Sequence, residues 1–505
     1  MNAKKILIVL RIFMVLNKKM LYRFYSPFRF LFLGILALTQ VLTAQVVGPP
    51  KPTPASAVKK TRSVEDPLPT NSPSSAPFGK TPLYDLEKCI NLALQNNYKI
   101  KIEQANIEAK LGELIVAKAT LYPTVDANAR ISGSNQDPFY ATKSKEDSKL
   151  IGDWGTRIKI TQSIFSGFSN RNRIAAAKLE HEAEYFQYQA VINQSLYDLK
   201  EQFYTILLRQ IEMETSKETI KLLETELDRQ KNLFEAGRST KFSILRIQVN
   251  LSNEQSNLLR IEQDILISHA KLSDILGISW GVAPNTQPSF KINGELSIPA
   301  FTLDLPAALQ LSKTRRPELQ YFDKLAKAAD HKAKAERASN IPFINLFSQV
   351  DERNNPTKPA FFDQQAEFQA GLEGQWNLFD GFLGKGRAIQ QEANRDANIA
   401  RKQDTLSQVE SEVRVSYAQL NEARRIIDTQ KENISRAEES VRLSQLNVET
   451  GYGTVLDVLQ ATIDLSRARN LETEARFNYL LAIARLEKSI SLRFNNTLAD
   501  NEHTH

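Results

Sequence analysis

The chain has 505 residues and a mass of 57.1 kDa, and 42% of its residues are hydrophobic, so it can bury a large core. Its net charge of +7 comes from 65 basic and 58 acidic residues. Seven of the basic residues lie within residues 1–44, which contain no Asp or Glu; without that segment the 58 remaining basic residues equal the 58 acidic ones. Because a nucleic-acid-binding protein carries its positive charge in the working domain, we expect no nucleic acid as a partner.

Cysteine and histidine are both scarce. One cysteine, Cys89, and five histidines are too few for a disulfide framework or a zinc centre. The sequence also lacks a Walker-type phosphate loop and the GxSxG and HExxH motifs of hydrolases. We therefore expect no catalytic residue, no metal and no cofactor, and a protein that is not an enzyme.

The first 44 residues have the features of a secretory signal peptide. Basic residues up to Arg29 precede an apolar run from Leu31 to Leu42, and Ala44 is a small residue suited to cleavage. The alternative is an uncleaved membrane anchor, but this run is shorter than the roughly 20 residues that span a bilayer. Residues 45–82, rich in Pro, Ser and Thr, are expected to be a linker. At the other end, residues 493–505 are expected to be a disordered tail.

The remainder of the chain is an internal duplication. The segment FEAGRSTKFSIL around Gly237 matches VETGYGTVLDVL around Gly451, at an offset of 214 residues. The same offset superimposes residues 164–168 on residues 378–382. The sequence therefore predicts two structural repeats, at residues 83–294 and 295–492.

Each repeat begins with a predicted amphipathic helix, over residues 85–119 and 304–338. Asp85 and Asp304 are suitable N-cap residues, and a proline ends each helix. Two strands follow in each repeat, because apolar and polar residues alternate with a period of two. In the first repeat, apolar residues at 125, 127, 129 and 131 alternate with Asp126 and Arg130, and those at 158, 160 and 164 alternate with Arg157 and Lys159.

Very long helices follow the strands. Residues 168–236 and 387–450 contain no Gly or Pro and carry apolar residues at spacings of three and four. At 1.5 Å per residue, each run is on the order of 100 Å long. A single helix of that length cannot bury its apolar residues alone. Each is therefore expected to pair with a returning helix, over residues 240–276 and 454–492.

Four alternating strands are too few for a complete membrane barrel, since bacterial outer-membrane barrels begin at about eight strands. An open sheet edge is excluded from lipid, where unpaired backbone groups cost several kcal/mol each. The pattern therefore indicates either a barrel shared between copies of the chain or a soluble sheet with one face buried. With no other sheet to pack on, the strands favour the shared barrel.

The sequence resembles the TolC-like outer-membrane efflux and secretion channels over about residues 83–492. The resemblance rests on the duplicated unit and on three motifs, which lie at Leu305–Leu319 (LPAAL through RPEL), Leu378–Gly381 (LFDG) and Gly451–Leu459 (GYGTVLDVL). It implies a mainly α fold with a small β-barrel portion. In such a fold a homotrimer shares one twelve-stranded barrel in the outer membrane, and long antiparallel helices form a tunnel in the periplasm. It also implies that the trimer docks on a periplasmic adaptor protein and an inner-membrane pump.

The resemblance also implies roles for individual residues. Asp457 matches the first of two aspartates that line the closed periplasmic gate of the family, and Gln460 stands at the second position. The alternative for Asp457 is a solvated aspartate in the first turn of a helix. The helix-hairpin tips that would meet the adaptor contain Gly237, Arg238, Thr240, Gly451, Gly453 and Thr454. The residues expected to face the barrel lumen are Asp126, Arg130, Arg157, Lys159 and Glu373.

These features predict a passive exit duct of the bacterial outer membrane that serves a tripartite efflux pump or a type I secretion system. Transport would be powered by the separate pump. The alternative, from another class of protein, is a soluble exported helical bundle with a structural or adhesive role.

Overall fold

The computed structural model describes residues 82–134, 151–278, 290–301, 303–354 and 364–491. The predicted signal peptide, the predicted linker except its last residue, and the predicted tail lie outside these residues. Within them the chain follows the same order of elements twice, as the internal duplication predicts.

The first repeat contains two shorter helices, two strands and a long helical hairpin. Its elements are β1 (Leu83–Tyr84), α1 (Leu86–Asn96), α2 (Tyr98–Ala119), β2 (Thr124–Ser134), β3 (Ile151–Phe165), α3 (Ser169–Glu235) and α4 (Lys241–Leu276). A short strand, β4 (Lys291–Ile292), follows within the bounds predicted for the first repeat. The second repeat then contains α5 (Leu305–Arg315), α6 (Pro317–Arg337), β5 (Phe343–Asn354), β6 (Gln364–Gln375), α7 (Leu383–Thr450) and α8 (Val455–Ile490), with one 3-10 turn at Ala338–Asn340.

The prediction of one continuous helix at the start of each repeat is wrong, because both helices are broken at an equivalent position. Asn97 (ψ 125°) separates α1 from α2, and Arg316 (ψ 119°) separates α5 from α6. Arg316 precedes Pro317, whose ring disfavours the helical conformation of the residue before it. The Asn97 side chain accepts hydrogen bonds from two backbone N–H groups of α2 and so caps a new helix.

The four predicted strands and the two long hairpins are confirmed, with different bounds. β6 ends at Gln375, although apolar and polar residues continue to alternate in the sequence as far as Trp376 and Leu378. Helix α7 begins at Leu383 and includes Gly384, where an added Cβ would lie only 1.9 Å from Ser339 Oγ. The absence of a side chain there lets the start of α7 pack against the 3-10 turn that follows α6.

The helices stand side by side in two continuous rows. Close to the strands the order is α2, α3, α6 and α7, because α3 packs against α2 and α6, and α6 packs against α7. Further from the strands the order is α4, α3, α8 and α7, because α3 packs against α4 and α8, and α8 packs against α7. The two long helices therefore run through both rows, and each row has an outer helix at either side.

Each repeat has its own apolar core where its long helix meets its returning helix. In the first repeat the core includes Leu199, Ile206, Leu272 and Leu276, and Cys89 of α1 packs into it. At positions 214 residues later, the second core has Val413, Leu420, Leu486 and Ile490, and Ala308 of α5 packs into it. Among the described helices, none is long and apolar enough to cross a membrane.

Candidate functional site

The four longer strands form one antiparallel sheet in the order β2-β3-β5-β6. The pairing of β3 with β5 joins the two repeats. β2 and β6 are therefore the edges of the sheet. Because three successive pairs are antiparallel, the two edge strands also run in opposite directions.

One face of this sheet is polar and includes the residues predicted for the lumen. The register pairs Asp126 with Lys159 and Arg157 with Asp351. Arg157 Nε donates to the Asp351 carboxylate, and Lys159 Nζ lies 3.9 Å from Glu373 Oε2. The strand period of two places all five predicted lumen residues on this face; they are Asp126, Arg130, Arg157, Lys159 and Glu373.

The opposite face of the sheet is apolar and uncovered in the single chain. Val125, Ile158, Phe368 and Leu372 lie on it, and their side chains are between 54% and 69% exposed. Contiguous apolar surface of this kind marks a surface that contacts another molecule or a membrane. The sheet therefore has one apolar face and one charged face.

Aromatic side chains lie where the sheet passes into the long helices. Phe168 and Phe382, at equivalent positions before α3 and α7, adopt the left-handed conformation with φ 67° and 68°. Each packs edge-to-face on another phenylalanine, Phe165 at 5.6 Å and Phe379 at 5.4 Å between ring centroids. Trp376 donates a hydrogen bond from Nε1 to Asn340 O at 3.1 Å and, like both left-handed phenylalanines, is more than half exposed. Exposed aromatic rings at this level are typical of a membrane–water interface.

The first hairpin tip joins α3 to α4 and contains the predicted residues Gly237, Arg238 and Thr240. Gly237 has φ +71°, and Arg238 N donates at 2.8 Å to a carbonyl of the last turns of α3, which ends the helix. Thr240 Oγ1 accepts from a backbone N–H in the first turn of α4 at 3.3 Å. All three residues are exposed, and Phe242 beside them is 69% exposed.

The second tip joins α7 to α8 and contains the predicted Gly451, Gly453 and Thr454. Gly451 has φ +83°, and a Cβ on Gly453 would lie 2.9 Å from Asn447 Cβ, so both positions require glycine. Tyr452 between them is 92% exposed. Sequence reasoning did not single out Tyr452 or the Phe242 of the first tip, although an aromatic residue at a glycine turn is a visible signal.

The predicted gate residues lie on one exposed stripe at the start of α8. Asp457 Oδ2 accepts hydrogen bonds from Thr454 N at 2.8 Å and Thr454 Oγ1 at 2.7 Å, and these bonds lower the pKa of Asp457. Gln460 Nε2 donates to Asp464 Oδ1 at 3.0 Å. Asp464 is a second exposed carboxylate, which sequence reasoning missed; its spacing of seven residues from Asp457, two helical turns, could have identified it.

The two hairpins are joined near their tips by an apolar cluster and an ionic tie. Leu223 and Leu227 of α3 pack with Leu459 of α8. Further from the tips, Arg469 of α8 donates to Glu218 of α3 at 2.8 Å and to Glu438 of α7 at 3.0 Å. The described residues contain no cluster of three or more His, Cys, Asp or Glu side chains that would hold a metal ion.

Comparisons with known proteins show which family the chain belongs to. The family described as outer membrane efflux protein matches residues 89–278 and 308–491, one stretch in each repeat. The chain is 19% identical over 407 residues to the probable efflux pump outer membrane protein TtgC of Pseudomonas putida, which covers 80% of this chain and 82% of TtgC. It is 22% identical over 404 residues to the alkaline protease secretion protein AprF of Pseudomonas aeruginosa, covering 78% and 82% of the two chains.

Solved structures agree with this result at the level of the fold. The CmeC outer membrane channel of Campylobacter jejuni superimposes with a TM-score of 0.72 at 13% identity, over 82% of this chain and 88% of CmeC. The resemblance stated from the sequence is therefore confirmed, as is its mainly α fold with a few antiparallel strands. The chain belongs to the outer membrane efflux protein family and is an export channel protein of the bacterial outer membrane, with its helical portion in the periplasm.

Proposed function

We propose that three copies of this chain assemble into a passive exit duct for a tripartite efflux pump or a type I secretion system. The four-stranded sheet is the observation that carries the proposal. Its two open edges run in opposite directions, so β6 of one copy can pair antiparallel with β2 of the next. Three sheets joined in this way give a closed twelve-stranded barrel, which removes every unpaired edge from lipid.

The two faces of the sheet suit such a barrel. The apolar face with Phe368 and Leu372 would contact lipid, while the face with Arg157 and Lys159 would line a water-filled lumen. The helices can continue in the same way. Each row has four helices with an outer helix at either side that can pack against the next copy, so three copies would place twelve helices around one axis.

The hairpin tips are proposed to dock on a periplasmic adaptor, which links the duct to an inner-membrane pump. Both tips lie far from the sheet and are exposed, with aromatic side chains beside their glycines, Phe242 at the first tip and Tyr452 at the second. Exposed aromatic residues are common anchors at protein interfaces. The six predicted tip residues shape these turns, and Phe242 and Tyr452 add contact area.

The gate is proposed to lie on the exposed stripe of α8. Asp457 and Asp464 of three copies would place two levels of carboxylates around the axis, about 10 Å apart along the helix. Carboxylate rings favour cations and repel one another. Gln460 adds no charge, but its hydrogen bond to Asp464 fixes that carboxylate toward the first turns of α8.

A labelling experiment tests the barrel. Cysteines replace the neighbouring residues Ala127 and Asn128, which point to opposite faces of β2 and are both exposed in the single chain. Cys89 provides a silent background, because it is fully buried and burial raises its pKa to about 12. In outer-membrane vesicles, a charged maleimide should label the Asn128→Cys variant and leave the Ala127→Cys variant unlabelled.

The same experiment separates the duct from a soluble exported scaffold. A scaffold with no lipid contact would label equally at both positions, and its monomer would appear in the periplasmic fraction. Chemical cross-linking of the membrane fraction should give a trimer. Equal labelling, or a monomer after cross-linking, would contradict the proposal.

A further inference from the structure

We infer that the outer part of the lumen carries a ring of arginines that binds polyvalent anions. This inference rests on the proposed function, since it requires the polar face of the sheet to line a pore. The register pairs Arg130 of β2 with Gly155 of β3, and Gly155 with Arg353 of β5. The two arginines therefore lie in one row across the sheet, on either side of a glycine.

The spacing of this row suits a shared anion. Neighbouring strands lie about 4.8 Å apart, so the Cα atoms of Arg130 and Arg353 are separated by about 10 Å. Gly155 leaves the space between the two arginines without a side chain. The fourth residue of the row is Gln365, which is uncharged. Two long guanidinium side chains can therefore approach one ligand from both sides.

The two arginines differ from the other cations of the polar face in having no partner among the side chains that the structure describes. Arg157 is paired with Asp351, and Lys159 lies near Glu373. Neither Arg130 nor Arg353 forms a salt bridge or a side-chain hydrogen bond with any residue that the structure describes, and both are exposed. A guanidinium keeps its charge at any relevant pH and binds phosphate or carboxylate oxygens through two parallel N–H groups.

The row lies toward the outer end of the barrel. Arg353 is next to the last residue of β5, and Arg130 lies four residues before the end of β2, whereas the helices adjoin the opposite ends of these strands. With two arginines in each copy, a trimer places six guanidinium groups in this part of the lumen. Rings of Arg or Lys confer anion selectivity on pores. The ring would therefore bind solutes that carry phosphate or carboxylate groups at the outer end of the lumen.

Single-channel recording with inorganic tripolyphosphate tests the ring. The wild-type trimer in a planar bilayer should be blocked by tripolyphosphate added on the side of the strand loops. Raising the salt from about 0.1 M to 1 M should weaken the block, because the screening length falls from about 10 Å to about 3 Å. The double variant Arg130→Gln, Arg353→Gln should raise the half-blocking concentration by about tenfold or more in 0.1 M salt.

Two further variants separate the ring from the overall charge of the lumen. Gly155→Asp keeps both arginines and places a carboxylate between them, and its Cβ would make only ordinary contacts, with Arg353 Cβ at 3.7 Å and Glu352 O at 3.5 Å. It should weaken the block as the double variant does. Arg157→Gln removes one positive charge from the adjacent row, but the Arg157 guanidinium is already paired with Asp351. We therefore expect tripolyphosphate to block this variant nearly as well as the wild type.

Each result decides one question. If the double variant forms pores of wild-type conductance in 1 M salt and is blocked at the wild-type concentration, the ring is overturned. An equal loss of block in Arg157→Gln would also overturn it, because total charge would then suffice. A wild-type chain that forms no trimeric pore would overturn the proposed duct and the ring with it, whereas pores that ignore tripolyphosphate would overturn the ring alone.

Discussion

Asn97 and Arg316 occupy equivalent positions in the two repeats, and each donates a hydrogen bond to a terminal carbonyl of the returning helix of its own repeat. Asn97 Nδ2 donates to Ile275 O at 2.8 Å, and Arg316 Nη1 donates to Lys488 O at 2.9 Å. The last carbonyls of a helix have no partner within the helix itself. Two different side chains therefore supply a hydrogen-bond donor to the end of a returning helix, in each case at the residue where the first helix of the repeat is broken.

Replacing Arg316 should destabilise the protein strongly. Its guanidinium is buried and also contacts Glu412 at 3.1 Å and Glu318 at 3.0 Å. We expect Arg316→Ala to lower the free energy of unfolding by about 3 kcal/mol, because it leaves carboxylates and a helix end without their partner. Arg316→Lys should recover little of this loss, since an ammonium lacks the planar set of donors. Urea unfolding of the detergent-solubilised protein measures both values.

Arg315 supplies the matched control for Arg316. It is the preceding residue, is exposed, and forms no salt bridge with the residues that the structure describes. Arg315→Ala should change the free energy of unfolding by less than about 0.5 kcal/mol, as is usual for surface substitutions. Equal losses in the two alanine variants would contradict the role assigned to Arg316.

The break at these two positions shows how far the sequence could predict the fold. Pro317 was a visible signal for the break at Arg316, since the residue before a proline avoids the helical conformation. Asn97 gave no comparable signal, because asparagine within an otherwise helical pattern becomes a cap only when the tertiary structure bends the chain there. The order of the elements and the long hairpins were predictable because strict periodicity continues over many turns.

The candidate site was predictable to a different degree in each part. The alternation of β2 and β3 was enough to place Asp126, Arg157 and Lys159 on one face. The row of Arg130 and Arg353 was not predictable, because it depends on the register between strands that are distant in sequence. The left-handed conformation of Phe168 was also hidden, since φ > 0 is rare for a bulky residue.

A charged side chain introduced on the apolar face of the sheet should destabilise the protein in the membrane. Phe368 and Gln369 are neighbours on β6 whose side chains point to opposite faces. We expect Phe368→Lys to cost about 2–4 kcal/mol if the position lies near the bilayer midplane, which would reduce the trimer in the outer membrane. Gln369→Lys, the matched control, should assemble normally. Comparison of unheated and heated membrane samples on gels measures the trimer, and equal loss in both variants would contradict a lipid-facing surface.

Asp457 combines two roles that substitutions can separate. Its carboxylate accepts hydrogen bonds from Thr454, and its charge would contribute to the gate. Asp457→Asn should keep an acceptor for Thr454 N but weaken channel block by La³⁺ added on the helix side. Thr454→Ala should keep the charge and the block while it loosens the start of α8. If Asp457→Asn leaves both block and conductance unchanged, Asp457 is only a helix cap.

Burial of His269 predicts that stability falls in mild acid. His269 lies on α4 and is 3% exposed; its Nδ1 is 2.9 Å from Ile265 O, and its ring centroid lies 5.6 Å from that of Phe290. Loss of hydration on burial lowers its pKa below the ordinary 6.5, although the hydrogen bond to Ile265 acts in the opposite direction. The unfolded chain therefore takes up the proton at a higher pH than the folded chain does.

Stability should consequently fall as the pH drops below about 6.5, and the loss should level off below the pKa of folded His269. Both His269→Leu and His269→Gln should remove this part of the slope, whatever their effect at neutral pH, because neither side chain titrates. Thermal unfolding of the solubilised protein at pH values between about 7.5 and 5 measures the slope. A wild-type slope that persists unchanged in both variants would assign the acid sensitivity to other groups.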